Sequence, residues 1–178
     1  MRWLLLLTTL LVGACAHTSG PASLVLSPED IERQSAARME QVLVVFEGSR
    51  TRRPEVDLLP IADRVQLAWT LKLPAPAAEG PFASPLTVLV TVSGRPVLNA
   101  ARDGVMLADA VIDDVRILGA ATPPAFGLNH IVDKKGTAVP DLPLLELRPE
   151  QLIRRNTLLE VRRVSVEYSG LRIEMAPK

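Results

Sequence analysis

The chain has 178 residues, in which 20 basic side chains balance 20 acidic ones and aromatic residues make up only 3%. This composition argues against nucleic-acid binding, because phosphate attraction needs a basic surface and base stacking needs aromatic rings. The length suits one domain with its own hydrophobic core, and the single cysteine excludes a disulfide within the chain.

The N-terminus has the organisation of an export signal. Met1 and Arg2 form a short basic region, and residues 3–12 are apolar apart from two threonines. A transmembrane helix needs about 20 apolar residues, so this run is too short for a permanent anchor. We therefore expect residues 1–14 to be a signal peptide that is removed.

The leader ends in Val12-Gly13-Ala14-Cys15, which resembles the lipobox of bacterial lipoproteins. The resemblance implies acylation of Cys15, and two or three chains of the palmitate type hold a protein far more firmly than one. Ala16 stands where lipoproteins retained at the inner membrane tend to have aspartate, so we expect the periplasmic face of the outer membrane. The alternative is an ordinary secretory leader with a chance cysteine.

Residues 15–23 are predicted to be the acylated cysteine and a short tether, and residues 24–178 one periplasmic domain. Ser27-Pro28-Glu29-Asp30 then combines a capping hydroxyl, a proline suited to the first helical turn, and acidic side chains near the helix N-terminus. We expect a helix there. Its apolar stripe contains Ile31, Ala36, Met39 and Val42.

The next part of the chain alternates apolar and polar residues, which is typical of half-buried strands. A first strand through Val56 and Leu58 is interrupted by Pro60, and a turn at Asp103-Gly104 joins the later strands as a long antiparallel hairpin. The apolar positions of the two long central strands are Val65, Leu67, Trp69, Leu71, Val88, Val90 and Val92.

The strand after this turn has an irregular pattern. Strict alternation from Val105 and Leu107 would place Asp109 and Asp113 on the buried face. A bulge near Asp109 would turn both carboxylates outward, and we favour this interpretation over two inward-facing acids.

Residues 119–146 are rich in proline and glycine and are predicted to be mostly irregular. Residues 147–152 (LRPEQL) echo residues 26–31 (LSPEDI), so a second helix start is expected. The C-terminus alternates around Ser169-Gly170, which predicts a hairpin with Tyr168 opposite Leu171 and Glu167 opposite Arg172.

Few side chains are available for catalysis or metal binding. The only histidines are His17 in the tether and His130, so a zinc site or a catalytic triad lacks partners. Adjacent Asp113 and Asp114 face opposite sides of a strand and are not placed to share a proton. We expect no enzyme activity, no metal, and no cofactor other than the covalent lipid on Cys15.

Arginines occur in clusters that are suited to contact with lipid phosphates or an acidic partner, although a solvated surface is the simpler interpretation. The clustered residues are Arg50, Arg52, Arg53, Arg154, Arg155, Arg162 and Arg163.

The order of the lipobox, LSPEDI, LRPEQL and the C-terminal VSVEYSGLRI resembles the YceB-like family of bacterial lipoproteins, whose function is not established. The resemblance implies a fold similar to tubular lipid-binding proteins, in which a curved antiparallel sheet wraps a helix and leaves an apolar groove. The chain departs from the family at residues 119–146, where the family tends to have a long amphipathic helix.

Together these features predict an α+β fold, with a curved antiparallel sheet of long strands packed on an N-terminal helix and a C-terminal β-hairpin. We expect a lipoprotein that binds a lipid or another hydrophobic molecule in a groove lined by the seven apolar residues of the central strands. The alternative is an interaction or scaffold lipoprotein that docks an envelope protein through its arginine clusters and proline-rich middle. The same apolar residues would also fit a closed core.

Overall fold

The computed structural model describes residues 22–35, 49–50, 54–73, 86–118, 134–154 and 156–178. Within these ranges the chain forms one α-helix, α1 (Pro28–Ser35), and eleven strands. The strands are β1 (Ala22–Leu26), β2 (Ser49–Arg50), β3 (Glu55–Leu59), β4 (Arg64–Leu73), β5 (Leu86–Leu98), β6 (Gly104–Leu118), β7 (Ala138–Val139), β8 (Leu142–Glu146), β9 (Ile153–Arg154), β10 (Thr157–Glu167) and β11 (Gly170–Pro177). Single turns of 3-10 helix span Pro60–Ala62 and Pro149–Leu152.

The helix α1 begins where the sequence predicts it. The Ser27 hydroxyl accepts a hydrogen bond from the Asp30 N–H at 3.3 Å and donates to the Asp30 carboxylate at 3.0 Å, which caps the first turn. Ile31 is fully buried, and the Glu32 carboxylate accepts the Val56 N–H at 3.2 Å, which ties α1 to β3. The other predicted stripe residues, Ala36, Met39 and Val42, lie outside the described residues.

The larger sheet is antiparallel and follows the order β2-β4-β5-β6-β7, with β3 pairing with β4 and β8 with β6. Its three central strands, β4, β5 and β6, are 10, 13 and 15 residues long. Alternation along these strands places aliphatic side chains on one face and polar side chains on the other. The predicted hairpin on either side of Asp103-Gly104 is confirmed.

The favoured bulge near Asp109 is confirmed, and a second, unpredicted bulge at Asp113 changes the side-chain direction of β6 again. Asp109 has a positive φ of 50°, and the β5–β6 register shifts there and again at Asp113. The buried positions therefore move from odd numbers to even numbers and back, and both aspartates avoid the core. Bulges also bend a strand, consistent with the curvature of the sheet. The buried residues of β6 are Val105, Leu107, Ala110, Ile112 and Val115.

The smaller sheet has the order β1-β11-β10-β9 and is also antiparallel. Its β10–β11 unit confirms the predicted C-terminal hairpin, but the predicted register is wrong. The turn consists of Tyr168 and Ser169, so Glu167 lies opposite Gly170. Gly170 is needed beside β1 rather than inside the turn, because a Cβ atom there would lie 2.3 Å from the Leu26 carbonyl oxygen.

The predicted attraction between Glu167 and Arg172 is present as a diagonal pair. The Arg172 guanidinium donates two hydrogen bonds to the Glu167 carboxylate, one of them at 3.0 Å. These hydrogen bonds and the adjacent positive charge hold the pKa of Glu167 below its ordinary value.

Three predictions along the chain are corrected. Ala22 and Ser23, assigned to the tether, already belong to β1. Residues 138–139 and 142–146, predicted to be irregular, form β7 and β8. Pro143 does not prevent strand formation in β8, because β8 is an edge strand and its register with β6 shifts opposite Met106. The second helix start becomes only the 3-10 turn Pro149–Leu152, which runs directly into β9.

Both sheets and α1 contribute to one hydrophobic core. Fully buried side chains come from α1, from the larger sheet and from the smaller sheet, for example Ile31, Leu67 and Leu171. The predicted α+β class, with curved antiparallel strands, an N-terminal helix and a C-terminal hairpin, is confirmed. The strands form two sheets rather than one.

Candidate functional site

The seven predicted groove residues lie together on one face of β4 and β5. Three pairs of them are direct cross-strand neighbours: Leu67 with Val92, Trp69 with Val90, and Leu71 with Val88. Val65 continues the same face opposite Gly94. Each of the seven side chains is at most 2% exposed. We call the surface formed by Val65, Leu67, Trp69, Leu71, Val88, Val90 and Val92 the apolar face.

Neighbouring strands extend the apolar face in both directions. Val56 on β3 lies opposite Leu67, and Ile112 and Val115 on β6 lie opposite Val92 and Val90. Sequence reasoning missed Ile112 and Val115 as members, because the bulges at Asp109 and Asp113 change the parity of β6. The two acidic residues in an otherwise apolar strand were the available signal.

Trp69 contributes the one polar atom with an unusual environment on this face. Its side chain is 2% exposed, and its indole Nε1 is buried without a hydrogen-bond acceptor among the residues that the structure describes. Buried tryptophan N–H groups usually find a partner, and an unsatisfied buried donor costs about 1–3 kcal/mol. Among the described residues, the Trp69 indole N–H is therefore a buried side-chain donor that is left unsatisfied.

The opposite face of the larger sheet is polar and internally bonded. Arg64 donates to the Ser93 hydroxyl at 3.1 Å, to the Ser93 carbonyl at 2.8 Å and to the Asp109 carbonyl at 3.2 Å. Gln66 donates to the Asp113 carboxylate at 3.1 Å. These bonds hold the polar side chains against the sheet, so the two faces of β4 and β5 differ sharply in chemistry.

The two adjacent aspartates considered for catalysis lie in the described part of the chain and do not form a site together. Asp113 bonds to Gln66, whereas Asp114 forms an ion pair with Arg116, so the two adjacent carboxylates have separate partners. His17, His130 and Cys15 lie outside the described residues. Among the residues that are described, no cluster of histidine, cysteine, aspartate and glutamate is arranged to hold a metal ion.

The structure describes only part of the predicted arginine clusters. Arg154, Arg162 and Arg163 are exposed, and Arg162 forms a 2.9 Å ion pair with Glu160. Only the backbone of Arg50 is described, and Arg52, Arg53 and Arg155 are outside the described residues. The visible arginines do not converge with the apolar face.

Two open clefts lie away from the apolar face, near the start of β10. One, of about 330 Å³, is bounded by the first residues of β1 and by β9. The other, of about 240 Å³, lies between the β5–β6 turn and the C-terminal Lys178. Leu159 lines both clefts.

No helix in the described ranges is long and apolar enough to cross a bilayer. No protein-family model, curated protein or solved structure matches the chain. The functional interpretation therefore depends on the residues and their geometry.

Proposed function

We propose that this protein is a lipoprotein of the bacterial envelope that binds a lipid or another hydrophobic molecule against the apolar face. In this proposal Cys15 is acylated and holds the chain to the periplasmic side of the outer membrane. The protein binds its ligand without catalysis, and it uses no metal and no cofactor other than its own acyl chains. The resemblance to the YceB-like family points in the same direction.

The observation that carries this proposal is the buried indole N–H of Trp69, which has no hydrogen-bond acceptor among the residues that the structure describes. The side chains of its neighbours across the strands, Val90 and then Val115, are aliphatic and cannot accept a hydrogen bond. A ligand with a long apolar part and one acceptor, such as an ester carbonyl, would satisfy this donor and match the surrounding aliphatic side chains. An acyl ester is the chemistry that fits best.

Ligand uptake requires the covering elements to move, because the side chains of the apolar face are at most 2% exposed. The short helix α1 packs on the larger sheet at β3 and β8, and only Ile31 and Ser35 of its eight residues are fully buried. The bond from the Val56 N–H to Glu32 is a further attachment of α1 to the sheet. We propose that α1, which packs at the β3 edge of the apolar face, is displaced when a ligand enters.

The test compares two probes that differ only in the acceptor: a long-chain fatty acid methyl ester and an alkane of equal length. The proposed removal of residues 1–14 takes away Trp3, so Trp69 is the only tryptophan of the acylated chain and its emission reports directly on the apolar face. We expect saturable binding of both probes. The ester should bind about 2- to 10-fold more tightly, because one net hydrogen bond contributes about 0.5–1.5 kcal/mol.

The control is Trp69→Phe, which keeps an aromatic ring but removes the donor. Competition between the two probes, followed by native mass spectrometry, should then show no preference for the ester. Leu171→Val trims a buried side chain of the smaller sheet without removing a donor, and it should keep the preference. A folded protein that binds neither probe would contradict ligand binding.

A second candidate function is docking of an envelope protein, and one observation favours it. Ile61 is 94% exposed and Tyr168 is 82% exposed. They lie at the same end of the molecule, because the Val166 N–H donates to the Asp63 carboxylate at 3.1 Å. Loss of a co-purifying protein in the Ile61→Ser, Tyr168→Ser double variant, together with no uptake of apolar probes, would support docking instead.

A further inference from the structure

The β9–β10 hairpin carries two exposed aliphatic side chains side by side. Ile153 and Leu158 are direct cross-strand partners, and their exposed fractions are 52% and 49%. The chain reverses between them through Asn156, which has a positive φ of 62°. Cross-strand partners project from the same side of a two-stranded ribbon, so the pair forms a small apolar tip.

This tip lies where the chain comes from its predicted anchor. The cleft of about 330 Å³ places Ala22 and Ser23 of β1 beside Ile153 and Arg154 of β9. Seven residue steps separate Cys15 from Ala22, and they span at most about 25 Å when fully extended. Acylation of Cys15 therefore keeps this end of the molecule close to the bilayer surface.

Arg154 is the side chain of the tip that is suited to contact with lipid phosphates. Arg154 is exposed and forms no ion pair with a residue that the structure describes. The nearest acid on β10, Glu160, is shared by Arg102 at 3.3 Å and Arg162 at 2.9 Å. Lys178 is also held here by its backbone N–H, which donates to the Leu158 carbonyl at 3.0 Å.

We propose that this end of the molecule is a membrane-contacting surface. Ile153 and Leu158 enter the interfacial layer of the bilayer that holds the anchor, and Arg154 binds lipid phosphate. The inference rests on the acylation of Cys15 in the proposed function, but not on ligand binding. Membrane contact at this end would also orient the protein, with Ile61 and Tyr168 pointing away from the bilayer. These two residues lie near the other end of β10, and Leu158 and Val166 are about 26 Å apart at 3.3 Å per residue.

The experiment uses the full, acylated chain, in which Cys15 is the only cysteine and has no free thiol. Leu158→Cys adds one free thiol for an environment-sensitive fluorophore, and Ile153→Cys provides a second position. The matched control is Ile61→Cys, an exposed isoleucine at the far end. Each labelled protein is reconstituted in phosphatidylcholine–phosphatidylglycerol vesicles that contain lipids with a nitroxide on the acyl chain.

We expect nitroxide lipids to quench the labels at 158 and 153 at least about 2-fold more strongly than the label at 61, because interfacial insertion places a side chain ~5–10 Å into the bilayer. Iodide in the water should show the opposite order.

Equal, weak quenching by nitroxide lipids at all three positions would overturn the membrane-contacting surface. A blue-shifted label at 158 that responds to protein concentration and not to nitroxide lipids would indicate contact between two copies, and would overturn it as well. The intact mass of the same samples reports on Cys15, so loss of the anchor is distinguished from loss of the surface. Ligand binding is measured separately through Trp69.

Discussion

Gly170 is the position in the smaller sheet where an added Cβ atom would obstruct the pairing of β1 with β11. A Cβ atom there would lie 2.3 Å from the Leu26 carbonyl oxygen and 2.9 Å from Val25 Cγ1. Because the closest obstacle is backbone, the β1–β11 pairing would have to shift. We predict that Gly170→Ala destabilises the fold by about 2–3 kcal/mol or more in urea unfolding.

Ser169→Ala is the matched control at the preceding residue, which lies in the turn and has an exposed side chain. Its free energy of unfolding should stay within about 0.5 kcal/mol of the wild-type value. Equal stability of the two variants would show that β1 does not approach Gly170 as described.

The Glu167–Arg172 pair predicts a pH effect of defined sign. The pKa of Glu167 is lowered in the folded protein by the hydrogen bonds and charge of Arg172. A lowered pKa stabilises the fold above the pKa of the unfolded chain, and this contribution disappears as the pH falls through the folded-state pKa. In Arg172→Met, NMR titration should show the pKa of Glu167 returning upward to its ordinary value.

The stability difference between wild type and Arg172→Met should also shrink in acid, where Glu167 is protonated in both proteins. Arg163→Met, a change at an exposed arginine of β10, is the control and should leave the Glu167 titration unchanged. An unaltered Glu167 pKa in Arg172→Met would contradict the pairing.

At the level of elements, the bulge at Asp109 helps to determine which side chains of β6 point into the core. Asp109 has a φ of 50°, a conformation that aspartate, asparagine and glycine tolerate and that β-branched residues resist. Its 2.8 Å ion pair with Arg95 is exposed, so loss of the charge costs little.

We therefore predict that Asp109→Val lowers the free energy of unfolding by at least about 1–2 kcal/mol. Asp109→Asn, which also removes the charge, should change it by less than about 1 kcal/mol. Thermal unfolding of the two variants measures the difference. Equal losses would assign the effect to the ion pair rather than to the backbone of the bulge.

Elements with a local signal could be predicted from the sequence, and elements with a distant partner could not. The cap at Ser27 and the alternation along β4 and β5 are local patterns, so α1 and the apolar face were found. By contrast, β1 and β8 become strands only by pairing with β11 and β6. The register of the β10–β11 hairpin was missed for a similar reason, because Gly170 is constrained by β1.

The candidate site was predictable in its residues but not in its chemistry. Period-two alternation assigns Trp69 to the buried face, because every second residue points the same way. Nothing in the sequence states whether the indole N–H will meet an acceptor, since that depends on which side chains lie across the strands. Val90 lies directly opposite Trp69 and offers none.

At the scale of the whole molecule, the described features divide the protein along β10. The end near Ala22 carries the exposed Ile153 and Leu158, and the far end carries Ile61 and Tyr168. The hydrophobic core, with the apolar face, lies between the two sheets and α1. If the chain is anchored as proposed, this arrangement would place the apolar face above the membrane and the second exposed end toward the periplasm.

Ligand binding is tested most directly by native mass spectrometry of the full chain, purified from membranes in mild detergent and then extracted with organic solvent. We predict an added mass that matches one apolar molecule with at least one hydrogen-bond acceptor. The added mass should be absent in Leu71→Arg, which places a charge on the apolar face, and present in Thr70→Arg, which places it on the opposite face. A folded wild-type protein without added mass, and unchanged after incubation with envelope lipids, would contradict the proposed function.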